Sequence, residues 1–317
     1  MSTSKVSVEP RSDNMSGNST NNNKWRQVLL TLPQPACVLG GVVAVATAHQ
    51  YQWIEPKLFS LIMIVLPLPL ILLAERIWTK RQDWNLTPKE LAEDAFWLAT
   101  SGLIWVPFYS DYYRTPISDT LKTLRDQAAF DLSIQPTSVI GLILAALLLR
   151  TLIEFIYYWL HRLQHRYLFF WRMHATHHHI TKMGAARADR THPLEYLALM
   201  IGSPIIFALS GASDQVLAVA GAFTFMSAYF THANLPLRSG LYGWFFTTPE
   251  QHHLHHSIDM ASSNTNYGCL IIVWDRLFGT YSGRTDIAAI GAGSGKALSI
   301  WEQYKLPFVS SQKLTKY

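Results

Sequence analysis

Two cysteines in 317 residues, Cys37 and Cys269, leave no C-x-x-C pair and no disulfide framework. Zinc-finger and thioredoxin-type chemistry are excluded on that count, and both thiols read as small buried apolar residues. Charge is scarce as well. Only 15% of residues are Asp, Glu, Lys or Arg, against roughly 25% in a typical soluble domain. No HExxH occurs, which removes the helical zinc-hydrolase motif. No GxGxxG follows a strand pattern, so the sequence offers no nucleotide site of that type. No period of 20 to 50 residues repeats, which excludes solenoids. The net charge of +5 suggests a nucleic-acid binder, but no basic stripe with interleaved aromatics accompanies it. Nucleic acid is therefore not an expected partner.

What the chain has instead is apolar runs. Residues 28–48 and 58–74 are each near the length needed to cross a hydrocarbon core of roughly 30 Å. The run 91–113, with Glu93 and Asp94 at its start, reads as a third span. The strongest run is 139–160, interrupted by Arg150 and Glu154, whose four-residue spacing on a helix allows an ion pair. Charges at membrane depth normally face a bundle interior or a polar cavity. Residues 193–231 are too long for one span and are broken near Gly211, Ser213 and Asp214, so they read as a helical hairpin. The expected fold class is all-α: an integral membrane helical bundle with a cytoplasmic histidine-rich cap. Its parts are a disordered Ser- and Asn-rich tail (1–23), N-terminal membrane helices (24–137), a histidine-rich domain (138–282) and a C-terminal tail (283–317). Lys24, Arg26, Arg76, Lys80 and Arg81 flank the first two runs, and the positive-inside bias puts that side in the cytoplasm.

Twelve of the thirteen histidines lie between His161 and His256. Most fall in HRLQH (His161, His165), HATHHH (His174, His177, His178, His179) and QHHLHH (His252, His253, His255, His256). His49 stands alone, on the opposite side of the membrane, where an interfacial role is expected. Neutral imidazole is the commonest metal-ligating side chain and suits iron, zinc and copper. His161 and His165 are four apart, while His174/His177/His178 and His252/His255/His256 follow i, i+3, i+4. Those positions share a helical face, so all their rings are expected to converge on one point. One metal takes about four to six ligands, so this many rings imply two metals. His161 continues directly from the 139–160 helix, which places the site at the cytoplasmic mouth of the bundle.

The ordered set HRLQH, HATHHH and QHHLHH, then Asn266-Tyr267-Gly268 and WDRLFGT (274–280), resembles the fatty acid hydroxylase/sterol desaturase superfamily over about residues 138–282. The resemblance implies a non-haem di-iron centre held almost wholly by histidine. Its pattern falls on His161 and His165, then His174, His177 and His178, then His252, His255 and His256. An additional family histidine before an Asn matches His232 in THAN. His192, opening HPLE, is a further candidate ligand or neighbour. His179 and His253 fall off the box positions and are expected beside the ligands or at the surface. Asp275 is a candidate acceptor for a ring N–H, or a turn cap. Tyr157 and Glu154 lie on the same helix face as His161, placed either to orient a ring and line a substrate path or simply to pack.

The implied activity is hydroxylation of an unactivated C–H bond in a membrane lipid (an acyl chain, a sterol or an isoprenoid) with O2 and two electrons. Desaturation at the same site is the alternative. The electrons would come from an external ferredoxin or small cytochrome and its reductase. A histidine-rich membrane metal transporter is the rival from another class. It would distribute its rings along a pore rather than on converging extramembrane helices.

Overall fold

The computed structural model describes residues 24–52, 55–129 and 132–314. The stretch 1–23, read from sequence as a disordered tail, lies outside the described residues. Helices are the regular elements of the described residues, with no strand among them beyond one isolated bridge between Ser257 and Ile290.

Four helices among the described residues are long and apolar enough to cross a membrane: Lys24–Tyr51, Pro56–Ile77, Val139–Arg166 and Pro193–Ser210. The first contains α1 (Pro33–Tyr51); the second is α2 (Pro56–Val65) followed by α3 (Pro67–Ile77). Each of these three begins with Pro in its first turn, where a missing N–H costs nothing. The run 91–113, expected as a third span, is helical but is not one of the four. Its Trp, Tyr, Ser, Thr and Pro content dilutes the hydropathy. Here α4 (Pro88–Thr100) and α5 (Thr115–Gln127) are joined through π turns at Ser101–Trp105 and Ser110–Arg114. The acids at its start are committed elsewhere, to buried arginines described below.

The longest element is α6 (Val139–Arg166), 28 residues capped by Ser138 on Gly141 N. At 1.5 Å per residue it measures about 42 Å, longer than a hydrocarbon core of about 30 Å. Its apolar start therefore spans, and its end carries His161 and His165 beyond. One face shows Ile140, Leu144, Leu148, Leu152, Phe155 and Trp159 outward, an exposed apolar stripe at helical spacing that suits lipid and not water. The other face buries Leu142, Ala146, Leu149, Ile153 and Tyr157. After α7 (Leu168–His178), the long 193–231 run breaks where the sequence indicates. It ends α8 (Gly202–Ser210) at Gly211, in the left-handed region at φ 60°, and starts α9 (Asp214–His232) at the Ser213 cap.

Helix α9 is the centre of the bundle and packs on α1, α2 and α6. At the α1 crossing a Cβ on Gly41 would meet Met226 Sδ at 2.4 Å, so a larger residue there would require the Met226 side chain to move. The thiols differ from expectation. Cys37 is exposed on α1, a face that only lipid would cover, and Cys269 is half-buried beside a cavity.

The cap is tied to the bundle by buried polar contacts. Arg190 reaches Asp94 at 2.5 Å and Glu93 at 3.3 Å, and Arg187 reaches Glu90 at 3.1 Å and Asp94 at 3.4 Å. Glu75 accepts from Ala185 N (2.8 Å) and Asn234 N (2.7 Å). Asn234 in turn holds the backbone of Arg81, so the basic loop after α3 lies against the histidine cap. Residues 283–314, read as a tail, are folded onto that cap. Leu298, Leu306 and Leu314 are buried around Ala175, and α11 (Ile300–Lys305) presents Gln303 O to Thr176. The element α10 (Pro249–His255) carries the last histidine box, entered through a Gln251 side chain that accepts from Thr248 N at 2.9 Å.

Candidate metal centre

Four helix ends deliver the rings. α6 brings His161 and His165, α7 brings His174, His177 and His178, α10 brings His252, His255 and His256, and α9 ends in His232. The eight box histidines and His232 meet, but not at one point. They divide into His161, His165, His174, His178 and His255, and into His177, His232, His252 and His256, each set having its ligand nitrogens within 4.8 Å of one another. In each HxxHH box the i and i+4 rings stay together and the i+3 ring crosses to the other set. Successive helix positions are turned by about 100°, so the neighbours His177 and His178 face different centres.

The protonation pattern says what the two sets can hold. His161 Nδ1 donates to Tyr267 O (2.6 Å), His255 Nδ1 to Thr265 O (2.9 Å), His177 Nδ1 to Arg190 O (3.3 Å) and His232 Nδ1 to Ala228 O (3.0 Å). A carbonyl only accepts, so these rings carry their lone pair on Nε2. Those Nε2 atoms then face one another: 3.1 Å between His255 and His161, 3.3 Å between His232 and His177. His174 and His161 are at 2.9 Å, and His252 and His232 at 3.0 Å. Lone pairs aimed at each other repel unless a cation lies between them. Imidazoles about 2.1 Å from a shared ion would be separated by about 3.0–3.4 Å, so the spacing fits a transition metal in each set.

Burial keeps the ligands neutral. It holds His177 and His255 down at about 4 and pushes His174, His178, His252 and His256 well below the usual histidine range. Stability from rings buried neutral is present above about pH 6.5 and is lost as pH falls toward about 4. The purified protein should therefore lose thermal stability and release metal across that window, with a flat response above pH 7. A melting temperature unchanged from pH 7 to pH 4.5 would contradict this.

Residues 146–280 match the fatty acid hydroxylase family model. That match places residues 146–280 in the fatty acid hydroxylase/sterol desaturase superfamily. Curated relatives include an ornithine lipid hydroxylase, OlsE, of Rhizobium tropici, 34% identical over 54% of this chain and 50% of that protein. An alkylglycerol monooxygenase of Xenopus tropicalis is 31% identical over 41% of this chain and 28% of its own length. The very-long-chain aldehyde decarbonylase CER1 of Arabidopsis thaliana is 27% identical over 46% and 24%. The chain thus matches half or less of the length of these relatives. No solved structure matches it.

Around these rings, the family motifs acquire physical roles. Asn266 sits in the left-handed region at φ 55°, which Asn tolerates, and its amide bridges Gln251 O and Ser282 O. Tyr267 supplies the carbonyl that fixes His161. A Cβ at Gly268 would meet Ile271 O at 2.4 Å and Asp275 Oδ2 at 2.9 Å. Asp275 touches no ring. It accepts from Tyr267 N and Gly268 N, both at 2.7 Å, and so positions the carbonyl that positions His161.

The remaining candidates lie outside both sets. His192 caps the Pro193–Glu195 turn, accepting from Leu194 N at 3.1 Å, with its other nitrogen toward Tyr304 O. His179 is buried and faces away from the rings, toward Glu90 and Glu302. His253 is buried edge-on to Trp84 at 5.3 Å. His49 meets Ser60 Oγ at 2.9 Å, far from the cap in sequence and fold. Arg150 and Glu154 pair, and Glu154 also accepts from Leu270 N. Tyr157 stacks on the His161 ring at 5.4 Å.

One residue escaped the sequence reading. Glu195, fully buried, accepts from His174 Nδ1 at 2.5 Å and from Tyr157 OH at 3.4 Å. Its signal was HPLE, whose histidine drew attention while its carboxylate is the group that touches a ligand ring.

Proposed function

We propose that this protein is a membrane-bound, iron-dependent oxygenase that hydroxylates a C–H bond of a lipid. The observation that carries the reading is a cavity of about 190 Å³ between α6 and α9 whose wall includes His177 and His232. It is lined mostly by apolar groups such as Ile153, Leu199, Phe225 and Leu270. An apolar chain can thus lie against the four-histidine set with water excluded.

Nine imidazoles with no carboxylate among them, five in one set, exceed what a tetrahedral zinc site takes and suit two irons. The ligand roles go to His161, His165, His174, His178 and His255 for one ion and His177, His232, His252 and His256 for the other. A bound iron pair would supply the reduction of O2 and the attack on the C–H bond. The chain's own part is to hold the rings by their Nδ1 hydrogen bonds, to exclude water and to place one carbon beside His177 and His232. Hydroxylation is preferred to desaturation because OlsE of Rhizobium tropici and the alkylglycerol monooxygenase of Xenopus tropicalis are named hydroxylase and monooxygenase.

Electrons would enter from the other set, where His165 is the half-exposed member, in a recess rimmed by Arg162 and Arg166. That rim suits an acidic carrier such as a ferredoxin or small cytochrome. The basic flanks assign this face to the cytoplasm. The test is a lipid extract of cells expressing the protein, compared by mass spectrometry with cells expressing the His255→Ala variant. A lipid gaining one oxygen atom only with the unaltered protein is expected; loss of two hydrogens would indicate desaturation, and no change would reject both.

A further inference from the structure

Asp189 closes the short turn Ala185–Asp189, and its neighbours on either side point away from it, Arg187 to Glu90 and Asp94, Arg190 to Asp94 and Glu93. Asp189 itself lines the cavity that contains His177 and His232. No side-chain hydrogen bond or ion pair to it exists among the described residues. The other charged groups in that wall have side-chain partners. Arg150 is paired with Glu154, and Glu195 accepts hydrogen bonds from His174 and Tyr157. Asp189 is therefore the one carboxylate of that wall with no side-chain partner among the described residues, and it shares the cavity with His177 and His232 of the four-histidine set. Buried charges are ordinarily paired, so a group left open toward a cavity is a place for a cation from outside the chain.

A second cavity, of about 420 Å³, shares Arg150, Ile153, Thr224 and Phe225 with the first and continues between α5, α8 and α9. On its α8 and α9 side the wall is apolar, with Pro204, Phe207, Leu217 and Ala220, a surface for a tail; Arg114, Asp119 and Lys122 line the opposite side. We infer that Asp189 recognises an ammonium group on the substrate's polar head, so that the head lies beside the histidines and the chain runs toward the second cavity. Two consequences follow. Lipids with a cationic head are favoured over free fatty acids, whose carboxylate would face Asp189 with like charge. The oxidised carbon lies near the head and not at the far end of the chain. The inference rests on the lipid-oxygenase reading for the cavity's role.

The test uses full-length, iron-loaded protein in lipid nanodiscs. Equilibrium dialysis would measure octylammonium, octanoate and octanol, with empty nanodiscs subtracted. Octylammonium should bind at least about tenfold more tightly than octanoate, since a like charge in a desolvated site is strongly rejected. Asp189→Asn, nearly the same shape, should abolish that preference and leave octanol binding and iron content unchanged. Equal or tighter binding of octanoate by the unaltered protein overturns the proposal without recourse to any variant. So does an Asp189→Asn protein that keeps the preference. Tandem mass spectrometry of an oxidised lipid adds an independent reading, and oxygen at the distal chain end would also overturn it. Lipid oxidation without any head-charge preference sinks this inference alone. An ammonium preference in a protein that oxidises no lipid sinks the oxygenase reading and leaves the binding site.

Discussion

Alanine at His178 should empty the five-histidine centre, and alanine at the adjacent His177 should empty the four-histidine centre. Each variant is expected to fall from about two bound metals per chain to about one, and to lose oxygenase activity by more than about 100-fold. That exceeds the 10–100-fold typical when only an outer partner of a ligand is removed. The separation of two neighbouring residues into different centres follows from the ring contacts. His178 Nε2 lies 3.2 Å from His255 Nε2, while His177 Nε2 faces His232. Elemental analysis of both purified variants decides the matter. If either variant retained both metals, or if both lost the same single ion by spectroscopic signature, the division into two centres would be wrong. His255→Ala should behave as His178→Ala does, because the two rings share a set.

Glu195→Ala should cost about 10–100-fold in kcat and weaken metal retention, because the His174 Nδ1–H loses its carboxylate acceptor. Ring orientation and basicity both depend on that partner. Glu195→Gln keeps an acceptor oxygen of similar reach and should recover part of the loss. Glu195 also lines the cavity, so KM must be measured alongside kcat. A change confined to KM, with metal content intact, would assign the residue to substrate contact alone and remove its positioning role.

The boxes were readable because helical spacing is a local property. Residues at i, i+3 and i+4 share a face whatever the rest of the chain does, and three such groups in order carry a family pattern. The break in 193–231 was readable for the same reason, since Gly211 and Ser213 end and start helices by their own backbone and capping chemistry, although of the two halves only Pro193–Ser210 is among the four helices long and apolar enough to span. The stretch 91–113 misled because its Trp and Tyr side chains look apolar in a run yet carry an N–H or O–H that suits an interface better than a hydrocarbon core. Its leading acids find their partners near residue 190, almost a hundred positions away. Residues 283–314 misled in the opposite direction. A short stretch with sparse apolar positions looks like a tail until Leu298 and Leu306 meet Ala175.

By itself the sequence determined that this is an apolar, all-helical chain with eight imidazoles on helical spacing, enough for two metals. Composition and periodicity act within a few turns and need no knowledge of what lies across the bundle. Only the tertiary structure decided which rings share a centre, that Glu195 and not Asp275 touches a ligand, and that Asp189 faces the cavity unpaired. Those facts depend on how far helices rotate and slide when they pack. A single carboxylate in a loop carries no mark of its eventual neighbours until that packing is complete.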